Sequence, residues 1–502
     1  MIKGSNLGPA SFVVANSFPL QTTIAGTSVR VTVAGNSVAA IMYYAGATQV
    51  AAILPSSVPA GSGTLTVTAN GQTSAPAPIV VVQNAPGIFT ASSSGVGDAI
   101  ATNGPVFITP SSSAHPGDTI VLWTTGLGPV TFDETQPAVQ SDMTNVSVEA
   151  FIGGKPATVV FRGRNGCCAA VDSIYVVVPQ GVEGCSVPVI LKIGNIVSNT
   201  ASIAVAARGD RCTPISSNLT PGDLDKWFTG GTISYGSASL IRSVVITQPL
   251  TVSGITIPGS TIRADSGAAV FAKVTVPAGG FGAGSAVDIA SYGSCTVLSY
   301  SGANVPSGYS FQSLDAGASL GLTGPAGAKT LAKFVGGGTI SYTSTFDMTG
   351  TYLTAGQYTL TGPGGPDVGS FNATLSLAPP LVWTNQASIT TVNRGVGVTV
   401  NWSGGDPNGY VQITGASSTG APANLLNVLF TCNARTQDGT FTVPSVVLLA
   451  LPPSGSQTQG GTTIPGLLSV SGFSGVARFS ASGIDYGNWL GITYNGAQVT
   501  YQ

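Results

Sequence analysis

One stretch of this chain is written twice. SVRVTVAGNSVAAIMYY, starting at Ser28, matches SVEAFIGGKPATVVFRG, starting at Ser147, 119 residues on. ILPSSVPAGSGTLTVTANGQTS, from Ile53, matches VVPQGVEGCSVPVILKIGNIVS, from Val177, 124 residues on. The change of offset places a short insertion near RGRNGCCAAVDS in the second copy. Self-similarity of this kind marks two copies of one folding unit. Each copy alternates apolar and polar residues, the period of a half-buried strand. The reversals fall on pairs such as Asn70-Gly71, which accept the positive φ that a type I′ hairpin turn needs at both central positions. A unit of roughly 85 to 90 residues of short strands suits a small two-sheet sandwich.

Composition removes the competing classes. Only 7% of the 502 residues are charged and 68 are glycine, while mean hydropathy is +0.36. Disordered chains are poor in Val, Ile and Phe and usually rich in charge, so disorder does not fit. The longest purely apolar run, Val446 to Leu451, is bounded by Pro444 and Pro452 and falls far short of the roughly 18 residues of a membrane helix. The 17 basic and 19 acidic residues are spread singly, without a basic stripe to track phosphates, so nucleic acid is not an expected partner. Weak self-repulsion eases association of like copies.

GSNLGPA, APGIFT, PGDTIVLWTTGLGPV, VSVEAFIGGKPATVVF and VVPQGVEGCSVPVILKIGNIVSN occur in order through residues 1–207. Together they resemble a paired immunoglobulin-like module of the IPT/TIG type, in the version found in secreted acidobacterial proteins of unknown function. The resemblance implies an exported β-sandwich protein and brings no catalytic residues with it. The C-terminal half resembles tails carried by the same proteins.

The expected fold class is therefore all-β: tandem immunoglobulin-like sandwiches in series with very little helix. The expected division is a first immunoglobulin-like domain over 1–83, a connector with a hairpin at Asn103-Gly104 over 84–117, and a second such domain over 118–207. A linker over 208–222 leads to a β-sandwich over 223–378 and a last, immunoglobulin-like one over 379–502. TPGDLDKWF (220–228) could form one short helix. GGTISY recurs at 230–235 and 337–342, marking either related strands or coincidence in a Gly/Thr/Ser-rich chain.

Cys167, Cys168, Cys185, Cys212, Cys295 and Cys432 are candidates for disulfides, with small buried hydrophobes as the alternative. Adjacent cysteines on a strand face opposite sides. The expected pairing is thus one of Cys167 and Cys168 with Cys185, Cys212 taking the other, and Cys295 with Cys432. Residue types that carry chemistry are scarce. The lone histidine, His115, sits in a Pro/Gly turn. GASLG (317–321) fits a nucleophile-elbow pattern around Ser319, but lacks strand–turn–helix context and a nearby histidine. Asp133-Glu134 reads as a solvated loop rather than half of a carboxylate pair. Asp223 and Asp225 serve a helix start, and GGDPNG (404–409) reads as a turn before a calcium loop. No catalytic, cofactor or metal site is expected. Trp123, Trp402 and Tyr410 read as core. Trp227, Trp383 and Trp489 either seal a seam or form a sugar-stacking platform.

Met1–Lys3 stand where the second copy has the strand Thr119–Trp123, so the first copy's leading strand is short. Either residues lie upstream, an export signal among them, or a neighbouring copy supplies the strand. The candidate donor is the tail Val499, Thr500, Tyr501 and Gln502. The reading that results is a non-enzymatic structural or adhesive protein, extracellular or on the cell surface, with copies of itself as partners. The alternative is a secreted carbohydrate-binding or hydrolytic protein, with surface glycans as partners and the immunoglobulin-like pair as spacer.

Overall fold

Alternation in the sequence becomes alternation of burial. In the strand Thr27–Val33, Val29, Val31 and Val33 are buried and Arg30 points outward. The computed structural model describes all residues except 92, 94, 215–230, 253–254, 277–289, 302–309, 421–424, 455–457, 460–461 and 464. Among the described residues the only α-helical turn is Ser445–Leu448, and no helix is long and apolar enough to cross a membrane. The protein is all-β, in sandwiches arranged in tandem.

The first sandwich packs the strands 2–3, 49–53, 41–45 and 13–14 against a sheet built on 27–33 and 61–69. Val29, Met42, Ala45, Val50 and Val67 fill the space between. Its Asn70-Gly71 reversal has φ of 51° and 78°, the left-handed pair that a glycine and an asparagine tolerate best.

The second sandwich is larger than the repeat predicts. Residues 84–117 are not a free connector: 87–88 and 101–103 pair with 119–125, and 97–98 pairs in parallel with 201–205. The hairpin at Asn103-Gly104 is present, between 101–103 and 106–107. These short strands complete both sheets, which a two-sheet core of this size needs to exclude water. The linker is also partly absorbed. Cys212 N–H donates to the Pro110 carbonyl at 3.1 Å, and Ser113 N–H to that of Asp210 at 2.8 Å.

The C-terminal half does not divide at 378/379. One 14-stranded sheet runs through it, and Gly231–Ile246 lies parallel to Tyr486–Tyr501 over twelve residue pairs. Ser294–Ser301 pairs with Leu426–Arg435, again across that boundary. Two cores form along this sheet, one around Phe271, Tyr342, Tyr358 and Trp489, the other around Trp402, Phe430, Val470 and Tyr501. Long strands shared by both cores cannot be cut into separate units. The two GGTISY copies flank a common neighbour, since 231–246 and 339–347 both pair with 261–276.

Candidate functional site: a basic cleft between sandwiches

The second sandwich is welded to the C-terminal half. Ile190, Phe151 and Val197 belong to the same apolar cluster as Cys295 and Phe430, while Ile233 and Tyr486 join the second sandwich's own core. Backbones meet at Gly154, where a Cβ would lie 2.4 Å from the Gly293 carbonyl oxygen, so a side chain there would force the seam apart.

Beside this weld opens a cleft of about 540 Å³, lined by residues of both bodies. Among the described residues Lys155, Arg208, Arg211 and Arg435 line it, with the acid Glu183. The four cations are positioned in three ways. Lys155 follows the Gly153–Gly154 turn, and its Nζ donates to the carbonyls of Gln180 and Gly181 at 2.8 and 3.1 Å. Arg435 ends the strand 426–435, and its guanidinium lies 5.1 Å from the centre of the Tyr292 ring. Arg208 and Arg211 ride on the segment after the last strand of the second sandwich. That segment is pinned by the Cys185–Cys212 disulfide and by His115, whose Nε2 lies 3.0 Å from the Gly209 carbonyl oxygen. Contact with that carbonyl, and then with the carboxylate of Asp118, raises the His115 pKa above its usual value.

The residues singled out in the sequence fall elsewhere or serve structure. His115 Nδ1 faces Asp118 at 3.3 Å, so both ring nitrogens are engaged. Ser319 begins the strand 319–324 opposite Ala332, so it occupies no elbow. Asp133 accepts from its own loop, at Thr135 N–H (2.9 Å) and Oγ (2.6 Å), as a turn residue does. Glu134 is not simply solvated: it accepts the Ser56 N–H of the first sandwich at 2.7 Å. Asp406 accepts the N–H groups of Asn408 and Gly475, closing the GGDPNG turn. Among the described residues no three His, Cys, Asp or Glu gather as metal ligands would. Asp223, Asp225, Trp227 and the 220–228 helix lie outside the described residues.

Among the described residues no exposed tryptophan platform forms. Trp383 and Trp489 are buried, Trp383 with its indole N–H on Asn385 at 2.8 Å. Trp402 is core, donating to the Thr436 carbonyl at 2.7 Å, while Tyr410 stacks on Phe473 and Trp123 is half-buried.

The disulfides correct the expected pairing. Cys185 bonds Cys212, Cys295 bonds Cys432, and Cys167 bonds its neighbour Cys168. The opposite-faces argument requires a strand, and residues 165–171 are a turn, with Ala170 at φ 57°. That turn carries Ala169 and Ala170 onto Leu20, Ile41 and Ile53, so the insertion clasps the first sandwich to the second.

The tail is not an available donor. Val499 pairs with Gly466 on one side, and Thr500 and Tyr501 pair with Thr391 and Val392 on the other. Gln502 N–H donates to Val392. A strand paired along both edges has nothing left to offer a neighbouring copy.

No family model and no curated protein matches this chain. Among solved structures, a Bacteroides ovatus protein of a mixed-linkage glucan utilization locus, SGBP-B, solved with a mixed-linkage heptasaccharide, is 12% identical. The match covers 83% of this chain and 87% of that one, with a TM-score of 0.15. The I9–I11 tandem of titin is 9% identical over 78% of this chain and 96% of that one (TM-score 0.12). Surface layer protein SbsC, domains 4–9, is 11% identical over 96% and 74% (TM-score 0.12). Scores this low carry no argument from these proteins to this one.

Proposed function

We propose that this chain is a non-catalytic structural protein of the cell exterior, a stiff series of sandwiches that associates with copies of itself through sheet edges. One observation carries the reading: several of the sheet edges carry no charge. Val13–Val14, Asn36–Ala39, Ala77–Val81, Val106–Phe107 and Phe371–Leu377 all lie at sheet edges and contain no charged residue. Val80 and Phe107 are 69% and 57% exposed. Proteins that stay monomeric usually place charge on such strands. Three disulfides suit an oxidising compartment, and shared cores supply the stiffness.

Sedimentation velocity over a concentration series, with negative-stain images of the same samples, tests it. Assemblies that grow with concentration are expected, and Val80→Lys with Val106→Lys should reduce them while leaving the melting temperature unchanged. A single monomeric species throughout would overturn the reading. A second reading, a secreted glycan-binding protein, is favoured by the cleft between the second sandwich and the C-terminal half.

A further inference from the structure

Of the three disulfides, one does little for global stability. Cys295–Cys432 and Cys185–Cys212 close spans of 137 and 27 residues, and all four of their cysteines are buried. Cys167–Cys168 joins neighbours, so it closes almost no loop and constrains the unfolded chain least of the three. It is also the bond that a reductant reaches without unfolding the chain, since Cys167 is exposed and Cys168 half-buried.

Its place gives it a local task. The bond sits in the turn 165–171, closed by Asn165 N–H on the Val171 carbonyl at 2.8 Å and by Cys167 N–H on Asn165 Oδ1 at 2.7 Å. Shortly after it, Ala170 holds φ 57°, a left-handed conformation whose cost for an alanine the surroundings must offset. The turn sets Ala169 and Ala170 on Leu20, Ile41 and Ile53 of the first sandwich, and Cys168 lines the same seam beside Ile53. The small ring of two side chains and the peptide between them removes backbone freedom from this turn. Opening the ring returns that freedom, and ordering the turn then costs entropy that the bond had already removed.

We propose that Cys167–Cys168 is a thiol-exchange site whose two states, disulfide and dithiol, tighten and loosen the clasp between the first two sandwiches. The reagent class is a dithiol. One of its thiolates attacks the Cys167 sulfur, forming a mixed disulfide and releasing Cys168 as a thiolate that takes up a proton. The reagent's second thiol, as thiolate, then attacks its own sulfur in that mixed disulfide and releases Cys167, which is protonated in turn. The chain gains two electrons and two protons and holds two thiols, and the reagent becomes a disulfide. Oxidised glutathione reverses the exchange by the same steps. Contacts outside the turn persist, with Leu20 N–H on the Thr135 carbonyl and Ser56 N–H on Glu134, each at 2.7 Å. The reduced joint is therefore looser but not parted.

The test uses the full chain under native conditions, with dithiothreitol raised in steps, rapid alkylation and peptide mapping. Cys167 and Cys168 should be alkylated at a reductant concentration about tenfold or more below that which opens either buried pair. Amide hydrogen exchange on the same samples should quicken about tenfold over 165–171 and around Leu20, Ile41 and Ile53, and recover after oxidised glutathione. It should stay unchanged in the core around Phe271 and Trp489. Cys167→Ser with Cys168→Ser should exchange as the selectively reduced wild type does, before any reductant is added. Two free thiols in the untreated chain, or opening of this pair only together with the buried ones, would overturn the exchange site. Selective opening that leaves exchange around Leu20, Ile41 and Ile53 unchanged would overturn the clasp, as would a double variant that exchanges like the oxidised chain.

Discussion

The Nε2 atom of His115 lies 3.0 Å from the carbonyl oxygen of Gly209, while its Nδ1 faces the Asp118 carboxylate at 3.3 Å. Both neighbours accept, so both bonds exist only when the imidazole carries two protons. Its folded pKa is accordingly raised. A raised pKa contributes stability that is complete below the unfolded value of about 6.5 and is lost as pH rises through the folded value. The 208–214 wall of the cleft should therefore loosen on the alkaline side of neutrality. Limited proteolysis of that segment should quicken between about pH 6 and pH 8 in the wild type, and be fast and flat across that range in His115→Gln. Equal pH profiles for the two proteins would remove the clamp.

Arg242 and Asp265 face each other across neighbouring strands and make a two-bond fork, Nε and Nη2 donating to the two carboxylate oxygens at 2.9 and 2.8 Å. Asp265 is fully buried and also accepts the Leu353 N–H at 2.7 Å. Removing one partner strands the other charge, so Asp265→Ala should cost about 3–5 kcal/mol. Arg242→Met combined with Asp265→Leu should cost clearly less, because no charge is left behind. Denaturant titration of the single and double variants checks this, and equal losses would mean the fork itself, rather than the orphaned charge, carries the stability.

The first two sandwiches were legible because their signals are local. Alternation around Val29 and Val31, and the pair Asn70-Gly71, depend on neighbours a few residues away. The parallel pairing of Gly231–Ile246 with Tyr486–Tyr501 is different: each strand alternates well, but nothing in either names a partner about half the chain away. The sequence therefore suggests a boundary at 378/379 that the sheet crosses. The cleft was hidden for the same reason. Lys155 and Arg435 stand as isolated charges in the sequence, far from Arg208 and Arg211, and only the fold brings them to one cleft. The one available signal was Arg208 and Arg211 close together in a chain where cations are rare. The vicinal Cys167–Cys168 bond is not legible in the sequence, because adjacent residues oppose each other only on a strand, and residues 165–171 are a turn that the alternation around them does not mark.

The disulfides should differ in worth by the loops they close. Cys295–Cys432 spans 137 residues and Cys185–Cys212 spans 27. Chain-entropy estimates for those spans are about 5 and about 3.5 kcal/mol. Cys295→Ser with Cys432→Ser should lower the unfolding midpoint of the C-terminal half more than Cys185→Ser with Cys212→Ser lowers that of the second sandwich. The latter pair should instead speed proteolysis within 208–214. Scanning calorimetry of both double variants gives the order, and the reverse order would show that local packing outweighs loop closure here.

Tyr501, next to last in the chain, is fully buried; its hydroxyl donates to the Leu467 carbonyl at 2.7 Å and its N–H to Ser454 Oγ at 2.6 Å. The ring fits only because two glycines face it. A Cβ on Gly466 would lie 2.5 Å from the ring, and one on Gly415 2.3 Å from the hydroxyl oxygen. Tyr501→Phe should cost about 1 kcal/mol for the lost hydrogen bond, and Tyr501→Ala about 3–5 kcal/mol for the cavity. Deleting Val499–Gln502 removes this ring together with the pairing to Gly466, Thr391 and Val392, so the C-terminal half should melt at a markedly lower temperature. A tail that served a neighbouring copy would behave differently: its deletion would abolish assembly and leave the melting temperature where it was. Calorimetry and sedimentation on one truncated sample separate the two, because only a strand built into its own sheet ties folding to the last four residues.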